Sequence, residues 1–88
     1  MTTKILAGEV SLPIISGAAT SFDSATVVRL VNTDTNAHVI SVVETQGGTG
    51  IGSITMPGGT VEQIVKYASH CVFADSALVK GTKVGFTN

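Results

Sequence analysis

The sequence predicts an all-β protein: a small single-domain β-sandwich or barrel-like fold of six to seven short antiparallel strands. Composition is the first reason. The 88 residues include 12 Val, 12 Thr and 10 Gly, more than a third of the chain. Val and Thr are stiff at χ1 and suit a pleated surface. Punctuation is the second reason. Short β-branched runs are separated by clusters of Gly, Pro, Asn, Asp and Ser, which read as turns. The third is the placement of apolar residues on both sides of the central runs, which suits a sheet covered on both faces.

Taken in order, Ile5–Val10 reads as an N-terminal strand or arm, followed by Leu12–Ile15, so that residues 1–15 stand somewhat apart from the rest of the single domain, 1–88. Glu9 and Pro13 interrupt the apolar character, which argues against a secretion signal. Thr26–Asn32 (TVVRLVN) and His38–Thr45 (HVISVVET) read as a hairpin. Between them, Thr33–Ala37 supplies Asx and Thr side chains that bond their own backbone. That loop fits four or five residues, so the register stays open. On the first strand Val28 and Leu30 share one side and Val27 and Val31 the other. The second carries Ile40 and Val42 against Val39 and Val43. A second covering layer is therefore expected, from another sheet, the arm or a neighbouring subunit.

Gln46–Gly52 is glycine-rich but lacks the Gly-Lys-Ser/Thr of a phosphate loop and has no helix signal after it. It reads as a mobile hairpin loop, with a strand over Ile51–Met56 and a turn at Pro57–Gly59. Thr60–Phe73 admits two readings. Val61, Ile64, Val65, Ala68, Cys71 and Val72 fall at helical spacing, with Glu62 and Lys66 placed as an i, i+4 pair. Read instead as strands, Thr60–Tyr67 and His70–Ala74 meet at a bend over Ala68 and Ser69. Asp75 and Ser76 open a turn through Ala77 and Leu78, and Lys83–Thr87 closes the domain as a strand.

Length and charge narrow the function classes. A chain this short buries roughly 60–65% of its unfolded surface, a thin stability margin. Its one cysteine, Cys71, cannot form an intrachain disulfide. Oligomerisation or docking is the support that remains. Charged residues make up 12% of the chain, about half the usual share of ~25%, which suggests that part of the surface is covered in the working state. Lys4, Arg29, Lys66, Lys80 and Lys83 are scattered, so no nucleic-acid partner is expected. No apolar run is long enough to span a membrane as a helix.

Catalytic and metal chemistry find little material. His70 and Cys71 are neighbours, which a strand turns to opposite faces, and His38 is distant in sequence. Cys71 reads as a small buried apolar residue. Ser, His and Asp occur without a nucleophile elbow. Tyr67 reads as a sheet-edge or interface residue. The expectation is a protein that is not an enzyme, with no catalytic residue, no metal and no cofactor. The candidate site is an interface. Its arm carries Ile5, Leu6, Val10, Leu12, Ile14 and Ile15, too apolar to hang free in water, and Thr49, Ile51 and Pro57 mark the glycine-rich loops.

The run VRLVNTDTNAHVISVVE, the Gly-rich loop, and then GSITMPGGTVEQIVKYASHCVFADSALVKGTKVGFTN resemble small virion structural proteins of tailed bacteriophages, especially phages of marine cyanobacteria. In that family a Val-Arg-Leu-Val-Asn strand precedes a Gly-x-x-x-Met/Leu-Pro-Gly-Gly turn, then a strand leading to a Lys, then an ending like VFADSALVKGTKVGFT. The resemblance covers Val27–Asn88. Where members show a Pro-Thr-Asp-Thr type bend, this chain has Tyr67-Ala68-Ser69-His70. The resemblance implies strands over Thr60–Phe73 and a β-sandwich or barrel-like fold. It also implies a non-enzymatic capsid decoration, or cement, protein that bridges neighbouring capsid subunits. The implied partners are the major capsid protein or other virion proteins, with self-association into a homo-oligomer. The implied location is the capsid surface of the virion, after synthesis in the host cytoplasm. The alternatives are a tail or fibre-associated component and a carbohydrate-binding host-adhesion module.

Overall fold

The computed structural model describes residues 2–87, so Met1 and Asn88, the ends of the expected domain, lie outside it. Among the described residues eight strands carry the fold: β1 (Thr2–Ile5), β2 (Val10–Ser11), β3 (Val27–Asn32), β4 (His38–Val43), β5 (Gly50–Met56), β6 (Val61–Val65), β7 (Cys71–Ala74) and β8 (Val79–Thr87). They form two antiparallel sheets. The larger runs β1-β8-β3-β6, with β2 also paired to β8, and the smaller runs β5-β4-β7. The expected all-β sandwich is therefore what forms. The strand count exceeds six to seven because the arm contributes two short pieces, β1 and β2, in place of one strand over Ile5–Val10.

The core lies between the sheets. Val28 and Leu30 of β3 and Val79 of β8 meet Ile40 of β4, Met56 of β5 and Val72 and Ala74 of β7, with Leu12, Phe22 and Ala25 added from the N-terminal segment. A smaller cluster joins Ala19, Val43 and Cys71, with Phe73 against it. Alternation on β3 is strict: Val28, Leu30 and Asn32 are buried, and Val27, Arg29 and Val31 are half-buried on the far side.

The central strands are not a hairpin. β3 pairs with β6 and β8, whereas β4 pairs with β5 and β7. Residues 33–37 carry the chain across the sandwich from one sheet to the other. The physical reason is that Val28 and Leu30 face Ile40 through the core, which side-by-side pairing would forbid. The true hairpin is β4–β5, closed where the Glu44 N–H donates to the Thr49 carbonyl at 2.9 Å. Gly50 and Gly52, expected in the loop, belong to β5. Thr60–Phe73 is not helical. β6 and β7 sit in different sheets, and the turn Tyr67–His70 moves the chain between them. Of the residues at helical spacing, Ile64, Cys71 and Val72 pack into the core clusters, whereas Val61, Val65 and Ala68 are exposed.

The sandwich closes on one side only. The Leu12 N–H donates to Val79 O at 2.9 Å, the Ala74 N–H to Pro13 O at 2.9 Å, and Thr20 bridges to Val72. Residues 12–20, including a 3-10 turn at Ser16–Ala18, thus seal the β7/β8 side. On the opposite side the edge strands β5 and β6 bound a cleft of about 320 Å³ with Ile40 and Val42 as its floor.

One turn is strained. Phe22, Asp23 and Ser24 have φ of 54°, 55° and 57°, a left-handed conformation costing about 1–2 kcal/mol per non-glycine residue. The surroundings hold it there. Phe22 and Ala25 are core residues, the Ser24 N–H donates to Ser21 Oγ at 3.2 Å, and Lys66 Nζ donates to Ala25 O at 2.6 Å. The Phe22 ring fits because residue 81 is glycine, where a Cβ would come within 2.7 Å of its Cζ and 3.0 Å of Leu30 Cδ2. Two opposite effects on urea denaturation midpoints follow. Gly81→Ala is expected to destabilise the fold by about 1–3 kcal/mol through overpacking. Asp23→Gly, at an exposed left-handed position, is expected to stabilise it by about 1 kcal/mol.

Candidate interaction surface

The arm that the sequence marked as apolar is an edge of its own sheet. β1 pairs with the end of β8 (Thr2 opposite Thr87, Ile5 opposite Val84), and β2 pairs with its beginning (Val10 opposite Gly81). Between them the chain leans over the outer face of the sheet. Glu9 approaches Arg29 at 3.6 Å, Thr82 Oγ1 donates to Ala7 O at 2.8 Å, and Gln63 Nε2 donates to Thr3 Oγ1 at 3.1 Å. Arg29, Gln63 and Thr82 are direct cross-strand partners on the face away from the core. The arm is thus part of the second covering layer that the two-sided apolar strands called for, and Thr82 and Val84 are buried.

This attachment leaves the arm's apolar side chains outside. Ile5 is 75% exposed, and Leu6, Val10, Ile14 and Ile15 are about half exposed or more. Leu12 departs from the expectation. It is 1% exposed in the main core and offers no side chain to a partner. The residue following it is Pro13, whose carbonyl is bound by β7, and this fixes Leu12 facing inward. Thr49 lies in the β4–β5 loop, where the Gly47 N–H donates to Ser16 O at 2.9 Å, and Ile51 lies on the β5 edge. Pro57 is exposed in the turn after β5, its carbonyl accepting from Thr60 Oγ1 at 2.6 Å. The nine expected interface residues therefore divide into an arm side, a β5 side and one buried side chain.

A polar cluster at one end of the sandwich went unread in the sequence. Asn32 is fully buried, and its Nδ2 donates to Asn36 O and Met56 O, both at 2.9 Å, while Oδ1 accepts from the Asp34 N–H at 3.0 Å. Beside it His38 stands between two carboxylates. Its Nε2 is 2.7 Å from Asp34 Oδ2 and its Nδ1 is 2.8 Å from Asp75 Oδ1. Both ring nitrogens donate only when the ring is protonated. The hydrogen bond to Asp34 raises the His38 pKa above its ordinary value; desolvation opposes this, and the Asp75 charge adds to it. The hydrogen bond from His38 lowers Asp34, helped by the Thr35 N–H. Asp34 and His38 are four residues apart, a spacing visible in the sequence. Asp75 arrives only because β7 lies beside β4.

The remaining candidates keep structural roles. Cys71 is buried, with Sγ 3.7 Å from Ser69 O. His70 packs its ring on Tyr67, centroids 4.9 Å apart, and Tyr67 is exposed. Lys66, paired with Glu62 in the helical reading, is instead 6% exposed with Nζ on the carbonyls of Ala25 and Tyr67. Burial lowers its pKa. Among the described residues, no group of three or more His, Cys, Asp or Glu is arranged to hold a metal ion. No helix among them is long and apolar enough to cross a membrane.

No family model, curated protein or solved structure matches the chain.

The His38 cluster gives stability a defined pH dependence. His38 is raised in the folded state, so its contribution is complete below the ordinary imidazole range and fades as pH rises through the raised value. Asp34 is lowered, so its contribution is complete above the ordinary carboxylate range and fades as pH falls through the lowered value. Denaturation midpoints measured from acid to mildly alkaline pH are expected to peak between those ranges. His38→Gln is expected to flatten the alkaline decline, while an unchanged profile would mean that the ring does not report on folding.

Proposed function

We propose that this chain is a non-enzymatic structural protein of a phage virion, a capsid decoration protein that stabilises the shell by bridging neighbouring capsid subunits. The observation that carries the reading is the arm. Its backbone is fixed to the body by strand pairing while Ile5, Leu6, Val10, Ile14 and Ile15 project outward. Exposed apolar side chains held in a fixed orientation are suited to burial against a partner. The backbone of the arm is already ordered, so docking loses less conformational entropy than binding by a free tail.

A shell site of standard size buries on the order of 1,600 Å². One such contact is ordinary. Repeated over identical positions on a closed shell, it opposes separation of subunits at every site. The weak charge of the chain agrees with this role, since few ionic groups need be desolvated on contact. The choice of capsid proteins as the partner class rests on reading Val27–Asn88 as resembling small tailed-phage virion proteins.

Imaging the assembled particle tests the reading. Decoration requires density for this chain at regular positions on an icosahedral shell. Density confined to the tail tip would replace it with a host-adhesion role. The arm is tested by Ile5→Ser, Leu6→Ser and Val10→Ser together. Their exposed side chains predict a loss of under about 1 kcal/mol each in fold stability, with loss of the chain from purified particles. Deleting the whole arm is a poorer test, because it bares the edge of β8 and uncovers Thr82 and Val84.

A further inference from the structure

We infer that the free edge of β5 is a self-association site, pairing antiparallel with β5 of a second copy about a two-fold axis through Ser53. This site lies on a different sheet from the arm strands β1 and β2 and does not depend on the proposed virion role.

β5 has β4 on one side and, among the described residues, no strand on the other. Its free edge has few of the devices that normally block edge pairing. Thr45–Val61 contains no charged residue, and the first proline, Pro57, comes only after the strand ends. One irregularity, a bulge opposite Val42/Val43, falls at Gly50–Ile51 and leaves Gly52–Met56 in regular register. The Asp75 N–H donates to Val39 O, which places the odd-numbered residues of β4 in hydrogen bonds with β7 and the even-numbered ones in bonds with β5. Opposite Ile40 and Val42 stand Ile54 and Gly52. Ser53 and Thr55 therefore turn their N–H and C=O groups toward the open edge.

Side-chain sizes select the partner. A two-fold axis through Ser53 sets Gly52 of each copy opposite Ile54 of the other. Gly52 has nothing within 4 Å of where a Cβ would stand, and Ile54 is 43% exposed. Both line the mostly apolar cleft between β5 and β6, along with Ile51, Ile64 and Val65 and the polar Lys66 and His70. The second copy's Ile54 thus enters the empty space beside Gly52, at the mouth of the cleft. Because a two-fold contact is isologous, one strand supplies both halves of the fit. The backbone hydrogen bonds supply the affinity and the glycine–isoleucine match supplies the register.

Sedimentation of the full chain over a range of concentrations tests this, together with air oxidation of Ser53→Cys and, as comparator, Val65→Cys on the edge strand β6. The expected result is a monomer–dimer equilibrium, with a disulfide dimer forming at position 53 in preference to 65. Ser53→Lys is expected to weaken the dimer at least about tenfold, as a charge on a free edge does, with circular dichroism unchanged. Should Ser53→Lys fail to fold, the cysteine comparison still decides. A chain that stays monomeric at its solubility limit, a trimer or larger ring, or preferential cross-linking at position 65 would each overturn the inference.

Discussion

The fold depends on how the chain crosses from β3 to β4. These two strands occupy the middle of opposite sheets, so residues 33–37 must traverse the end of the sandwich in five residues. Asn32 makes this feasible. Its buried amide donates to carbonyls on the crossing loop and at the end of β5, and its oxygen accepts from Asp34. A buried amide left unpaired costs about 1–3 kcal/mol, so the three segments are held in one arrangement or the network fails as a unit. Gly58 adds to the same constraint, because a Cβ there would land on the Thr35 carbonyl. With the crossing fixed, β4 meets both β5 and β7, and His38 is delivered between Asp34 and Asp75.

The two sides of the sandwich are treated differently by the N-terminal segment. Residues 12–20 run from the edge of β8 to the edge of β7 and bury Leu12 and Ala19 on the way. That side is finished. Among the described residues no segment does the same between β5 and β6, where a cleft with isoleucine and valine lips remains. The arm likewise resolves only half of its own problem. Pairing with β8 satisfies its backbone and helps cover the outer sheet face, yet its largest side chains stay in water. Much of the exposed apolar surface lies on the arm and the β5/β6 edge, while Val39, Tyr67, Leu78 and Phe86 are exposed elsewhere. Exposed apolar groups on the arm and at this edge are available for burial by a second surface.

Strain is confined to a turn whose neighbours are packed. Three successive left-handed residues would not persist in an isolated peptide, since each is disfavoured by the contact of Cβ with the following carbonyl. Here the Phe22 ring lies against Gly81 and Leu30, and the ammonium of Lys66 caps the turn at Ala25. Lys66 is 6% exposed, and burial lowers its pKa.

Much of this was legible in the residues themselves. The Val and Thr content, the shared side of Val28 and Leu30, and the turn at Pro57–Gly59 specify strands and punctuation, because these are local properties of backbone and side chain. The exposed arm residues Ile5, Leu6, Val10, Ile14 and Ile15 were also legible, as apolar residues in a segment broken by Glu9 and Pro13. Partner choice was not. Nothing local distinguishes a β3–β4 hairpin from a crossing between sheets, because both need the same short polar loop and the same apolar alternation. The choice is made by packing Val28 and Leu30 against Ile40 across the core, which is a contact between layers. Leu12 was read as part of the arm because its neighbours are apolar and exposed; only the carbonyl of Pro13 bound to Ala74 turns it inward. Asp75 reaches His38 by the same route, through the pairing of β7 with β4. The sequence by itself determined which residues extend and where the chain turns. The tertiary structure alone decided which strands meet, since long-range pairing is settled by the shared core and not by any one segment.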